Sequence, residues 1–321
     1  MRLGIHLANY GPATTSSSIL RLASAADELG FDSVWVSDHV VIPCESRSVY
    51  PYPGTVFTPD TAETFYEPLA TLAFIAGATQ RVRLGTSILV APQRNPLVVA
   101  KQVATLDALS GGRVELGVGA GWLAEEFEAL GASFADRGPV LEEYLHIFKQ
   151  VWSEREPRFT GKYYRFPAIR FGPKPVQGRN LPITVGGHSP ASLRRAATIA
   201  DGWHAFRLGE EDLVAPIAAL RLYAEQVGRD FTTLHVLLRC SVEVTVRRPD
   251  RGTSPWELIG EPEEVSSAMR RYQELGVTGL ILTPAPGKPL DAVLKTMERL
   301  AKEVFPLVKS YARPQVLSPS P

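Results

Sequence analysis

An acid and an imidazole end an otherwise apolar segment: VWVSDHV, residues 34–40, passes from β-branched and aromatic side chains straight into Asp38 and His39. Imidazole can give or take a proton near neutral pH, and a carboxylate beside it can fix its tautomer or bind a polar ligand edge. Asp38 and His39 are therefore the candidate catalytic pair, Asp38 orienting the ring or holding a cofactor. The plainer alternative is local: Asp38 caps a turn and His39 bonds to backbone.

Two glycine-rich stretches offer backbone to a ligand. GVGAGWLAEEF, residues 117–127, spaces its glycines as G-x-G-x-G, and no strand ending in an acid follows as a dinucleotide-binding unit requires. Gly119, Ala120 and Gly121 are expected instead to let a flat ligand approach the chain, with Trp122 as an aromatic wall of the substrate pocket; tight strand–helix packing is the alternative. Glu125 and Glu126 begin a helix, where carboxylates suit the dipole, and are expected to be structural. PITVGGHSPASLRRA, residues 182–196, places Ser189 and Pro190 as cap and first residue of a helix. Backbone N–H groups at such a terminus suit an anion, so Gly186, Gly187, His188 and Ser189 are candidates for holding a phosphate-bearing cofactor tail. His6, His39, His188 and His204 raise a second class, a metal-dependent barrel hydrolase. His6 has no neighbouring HxH partner and LILTPAP, residues 280–286, has no carboxylate, so no metal site is expected.

Such residues need a scaffold that brings them together. Strand-like segments lie at 3–7, 34–37, 82–90, 114–118, 183–185, 203–206, 236–246 and 280–282. Each precedes a helical pattern. The first shows Ile19, Leu22, Ala23, Ala26 and Leu29 at three- and four-residue steps, and the others lie at 67–79, 96–109, 140–152, 190–200, 211–227, 261–275 and 290–308. Strict alternation eight times over predicts an α/β fold, a (β/α)8 TIM barrel with insertions, rather than an open doubly wound sheet. Residues 1–310 are expected to form one barrel domain and 311–321 a loose tail. The insertions at 41–63 and 247–260 follow strands and so belong at the C-terminal mouth, while RFTGKYYRF, within the insertion at 153–181, reads as a hairpin about Thr160-Gly161. Active sites of this fold are built from strand ends and the loops after them, which aims Asp38 and His39 at the mouth.

Lys plus Arg equals Asp plus Glu at 34 each, and no basic run stands out. An electrostatic grip on nucleic acid or an anionic membrane has nothing to rest on, and a small-molecule partner is expected. Cys44 and Cys240 show no CxxC spacing, the N-terminus carries no signal-like segment, and no apolar run is long enough to span a membrane. A cytoplasmic protein is expected.

Taken together, LGIHL, VSDHVVIP, RVRLGTSILVAPQRNP, LSGGRVELGVGAGWLAEEFEALG, PITVGGHSP and ADGW make the chain resemble the luciferase-like monooxygenase superfamily over nearly its whole length. Within it the chain looks like the oxidoreductases that use coenzyme F420, a 5-deazaflavin. The resemblance implies that Asp38 and His39 lie against the cofactor ring. It implies also a non-proline cis peptide at Ser87-Ile88 in a bulge backing that ring. The activity it implies is hydride transfer between F420 and a small organic substrate. An FMN-dependent monooxygenase using molecular oxygen is the second reading, and a protein that holds a flavin-like ligand without turnover is a third. Some deazaflavin sugar dehydrogenases carry a glutamate where this chain has Trp122, which points away from a sugar phosphate and toward an aromatic or hydrophobic substrate. Relatives often pair through barrel helices, so a homodimer is a further expectation.

Overall fold

A computed structural model describes residues 1–52, 64–247, 253–284 and 288–310. The expected loose tail, most of the first insertion's second half and part of the loop before Ser254 lie outside the described residues. Eight parallel strands form the barrel: β1 (Arg2–His6), β2 (Ser33–Val36), β3 (Arg83–Thr86), β4 (Val114–Gly119), β5 (Ile183–Gly186), β6 (Gly202–Phe206), β7 (His235–Val244) and β8 (Gly279–Pro284). Each pairs with the next, and β8 returns to β1 with Arg2 opposite Gly279, so the sheet is closed.

Helices α1 (Ser16–Glu28), α2 (Pro68–Ala78), α3 (Pro96–Ser110), α4 (Arg137–Ser153), α5 (Pro190–Thr198), α6 (Glu210–Gln226), α7 (Pro262–Leu275) and α8 (Leu290–Arg299) surround it. Local chemistry sets their ends. Thr15 and Ser18 form a reciprocal capping box for α1, whose Ile19, Leu22, Ala23 and Ala26 are buried. Asn95 accepts from the first amides of α3, and Gly111 at φ 69° closes that helix in the left-handed region open to glycine. Outward-facing strand residues such as Leu3, Ile5, Val34, Val36, Leu84 and Leu116 pack against the helices in one continuous core.

The lumen is filled. Trp35, Leu237 and Ile281 form a separate apolar cluster, and the Trp35 indole donates to Ser33 Oγ at 2.8 Å. Gly4 and Gly85 have no side chain because a Cβ at either would fall on that indole. At the N-terminal rim Glu115 takes both Arg2 and Arg83.

Three boundaries differ from the periodicity. The run expected as one strand at 82–90 is β3 followed by Leu89–Val90, broken at Ser87-Ile88, where the peptide is cis. The helix expected to reach 308 widens at Leu300–Val304 into a π-turn before Phe305–Lys309: Phe305 N–H reaches Leu300 O, and Pro306 has no N–H to continue an ordinary helical ladder. Part of the insertion expected at 247–260 is itself a strand, Glu257–Gly260, beside the end of β7. The hairpin is present as Phe159–Thr160 against Arg165–Phe166, with Glu143 of α4 accepting the amides of Lys162, Tyr163 and Tyr164. No described helix is long and apolar enough to cross a membrane.

Candidate active site

Asp38 and His39 lie immediately beyond β2 at the C-terminal mouth. The His39 Nδ1 atom is 2.9 Å from Glu126 Oε2, and the other oxygen of Glu126 accepts the amide of Val40 at 2.7 Å and that of Val41 at 3.3 Å. Glu126 sits in a short helix after β4, Ala124–Ala129, and is only 1% exposed. Burial works against its charge, yet the hydrogen bond and charge of His39 outweigh it and hold the carboxyl below its ordinary range. The neighbouring Glu125 accepts the amides of Arg47 and Ser48, tying the loop after β2 to the same short helix.

This arrangement corrects two expectations. Asp38 does not orient His39: it faces Arg94, which grips both its oxygens at 2.7 Å, and one of those oxygens also accepts the Val90 amide at 2.8 Å. The Asp38 side chain is wholly enclosed, so it offers no oxygen to a ligand. Burial opposes the Arg94 charge, but Asp38 prevails and raises its pKa. Glu126, expected only to complement a helix dipole, holds the imidazole instead. Sequence spacing gives little warning, since 87 residues separate the two partners.

The glycines also need correction. A Cβ at Gly119 would land on the Ile88 side chain, and one at Gly121, where φ is +86°, would meet Phe127 at 2.6 Å and Val90 at 2.7 Å. Their bare Cα atoms accommodate the bulge and a turn rather than a flat ligand, which is the packing alternative. Ala120 is half-buried between them. A Cβ at Gly186 would stand 3.3 Å from the Ile88 side chain.

Gly187, at φ +107°, accepts the Trp203 indole N–H at 2.8 Å. Ser189 caps α5 through the Ser192 amide at 3.2 Å and remains exposed. His188 is half-buried, and burial draws its pKa down against the opposing pull of Asp212.

An aromatic girdle surrounds the mouth. Phe65 lies 5.4 Å and Trp122 6.2 Å from the His39 ring, both edge-on. Trp122 continues to Tyr50 at 5.0 Å, Tyr50 to Tyr52 at 5.4 Å, and Tyr52 to His188 and Phe206, each at 5.1 Å. Burial pushes the Tyr52 phenol up to about 12.

Beneath the girdle lies a polar cluster that sequence patterning concealed. His6 Nε2 pairs with Ser37 Oγ at 2.9 Å and His204 Nε2 with Ser87 Oγ at 3.0 Å. Arg239 of β7 donates through Nη1 to the Ser87 carbonyl at 3.0 Å and to Ser37 Oγ at 3.1 Å. Burial, then the Arg239 charge, holds His204 down to about 3 and His6 well below its usual value, so both rings are neutral at physiological pH. Among the described residues no group of three or more His, Cys, Asp or Glu side chains converges as a metal site.

The closed parallel barrel and its surrounding helices define a (β/α)8 protein, and the imidazole–carboxylate pair and the aromatic girdle stand at the C-terminal ends of its strands. The sequence profile of the luciferase-like monooxygenase family matches residues 1–251, and the chain belongs to that family. An uncharacterized protein of Mycobacterium tuberculosis is 31% identical over 92% of this chain and 98% of its own. The F420-dependent glucose-6-phosphate dehydrogenase of Kineococcus radiotolerans is 28% identical over 89% and 91%. Two solved structures share the fold over 95% of this chain and 98% of their own. The coenzyme F420-dependent tetrahydromethanopterin reductase of Methanopyrus kandleri has TM-score 0.77 at 19% identity. The FMN-bound oxygenating constituent of 3,6-diketocamphane monooxygenase of Pseudomonas putida has TM-score 0.76 at 17% identity.

Proposed function

We propose that the chain is an oxidoreductase that transfers a hydride between coenzyme F420 and a small organic substrate. The observation that carries this reading is His39, held at the barrel mouth by buried Glu126 beside an aromatic wall. The residues fit a planar ring system: a hydroxyl-lined floor at Ser87 and aromatic faces at Phe65 and Trp122. The bound deazaflavin would supply the hydride chemistry.

Each residue has a distinct task. Glu126 accepts a hydrogen bond from His39 Nδ1–H and stabilises the ring when it carries charge, which assigns to Nε2 the exchange of a proton as hydride moves. The Asp38–Arg94 pair locks the end of β2 to the loop beyond the bulge and so fixes where the imidazole stands. Ser87 and Ile88 back the ring, and the backbone of Gly186 to Ser189 receives the phosphate-bearing tail at the capped start of α5. Trp122, Tyr50 and Phe65 keep water from the reacting atoms and offer an aromatic or hydrophobic substrate a face.

F420 is preferred over FMN because the S-D-H and T-S-I motifs stand together in a chain with an F420-dependent relative at 28% identity. The FMN-dependent monooxygenase reading draws on an FMN-bound fold neighbour and on the family's name. Fluorescence titration with both cofactors under identical conditions, with mass spectrometry of copurified ligand, tests the choice: tighter binding of F420 is expected, and a tenfold preference for FMN overturns it. Two free thiols accord with a cytoplasmic protein whose residues 1–310 act as one barrel domain. Exposed Phe74 on α2 and Val98 on α3 support pairing into a homodimer.

A further inference from the structure

Arg239 has no part in the chemistry proposed above. It projects from β7 into the lumen and is 8% exposed. Its Nε donates to Thr283 Oγ1 at 3.1 Å, and its Nη1 to the Ser87 carbonyl, Ser37 Oγ and, at 3.4 Å, Ser87 Oγ. Phe206 lies 5.3 Å away, and the phenols of Tyr10 and Tyr50 are also near. These neighbours are neutral, and the one charged group acting on Arg239, Arg207, is itself a cation. Among the described residues the buried Arg195 has a carboxylate in Glu142 and the partly buried Arg94 has one in Asp38, whereas none pairs with Arg239.

A buried cation without a counter-charge is costly, and proteins rarely keep one without use. His6 and His204 lie close enough to feel its charge, and neither can supply an opposite one. The cluster therefore presents positive charge under the aromatic girdle, beside Phe206 and the bulge at Ser87. Guanidinium is planar and forked, which suits a planar oxyanion better than a compact or tetrahedral one.

We propose that Arg239 is an anion-recognition group, receiving the delocalised negative charge of a planar N–C–O or carboxylate group on a bound ligand. That charge has two chemical sources, the carboxylate of an acidic substrate or the deprotonated amide edge of the reduced cofactor ring. Only the second rests on the reading of the mouth as an F420 site.

The test compares wild type with Arg239→Met, which removes the charge at similar length, and Arg239→Gln, used if the first does not melt cooperatively. One arm titrates benzoate and its neutral isostere benzamide into the protein by calorimetry. The other measures affinity for oxidised and reduced F420 under anaerobic conditions. Wild type is expected to prefer benzoate over benzamide, or reduced over oxidised cofactor, by about tenfold or more, and the folded variant is expected to lose that preference. Loss in the first arm assigns the site to a substrate carboxylate, loss in the second to the ring. Absence of both preferences in wild type, or their survival in the folded variant, overturns the proposal and leaves Arg239 a brace for Ser87 and Thr283. Wild type that binds neither F420 nor FMN sinks the functional reading, while the benzoate arm still decides the role of Arg239.

Discussion

His39 and Glu126 resemble the imidazole–carboxylate pairs of many proton-transfer sites, in which one ring nitrogen is committed to a buried carboxylate. His39→Ala should retain the fold and bind cofactor within a small factor while losing about 10² to 10⁴ in turnover, the usual contribution of an acid or base. Single-turnover hydride transfer at the wild-type rate would show the imidazole to be only structural. Glu126→Gln keeps the shape but no longer fixes which nitrogen bears the proton; turnover should fall about tenfold or more, and nitrogen NMR of His39 should change from one tautomer to a mixture. Sequence made His39 legible because an imidazole at a strand end is conspicuous. It hid Glu126 behind a sound but insufficient reason for a glutamate at a helix start. Arg239 was hidden in VLLRCSVEV, where one charge looks like ordinary alternation and nothing says that its side chain points into a closed lumen.

Secondary structure was more legible than side-chain partnership, because strand and helix periods are local while pairing across the barrel is not. The exceptions fall where the local period is interrupted, at the break between the two short strands around Ser87-Ile88 and before Pro306, which has no N–H to give. Packing within the lumen gives a direct test. Gly85→Ala would drive a methyl into the rigid Trp35 indole, and the variant should lose about 1–3 kcal/mol in urea denaturation, as over-packed cores do; an unchanged midpoint would mean that Trp35 has somewhere to move. Ser189→Ala should lower stability by ~0.5–2 kcal/mol as a lost cap. If F420 affinity stays at the wild-type value in that variant, the serine hydroxyl serves α5 alone. Replacing Gly187 instead is a poor probe, since its φ of +107° strains any side chain whether or not a phosphate approaches.

For the molecule as a whole, the neutral histidines tie stability to acidity. His204 titrates at about 3 when folded against an ordinary value of 6.5. Between those values the unfolded chain binds the extra proton, so stability present above pH 6.5 is lost as pH falls toward 3, and His6 acts in the same direction. The loss should be on the order of a few kcal/mol, read as a falling urea midpoint from pH 7 to pH 4 that flattens in His204→Gln. A slope unaltered by that substitution would place the acid sensitivity elsewhere. The closure of β1 onto β8, with Arg2 opposite Gly279, has a consequence during synthesis. Of its two permanent neighbours, β1 can meet β2 early but β8 only after every strand from β2 to β7 has been made. Until then β1 and the unfinished sheet each keep an unpaired strand edge, so a chain cut off before β8 should present those edges to other chains and aggregate.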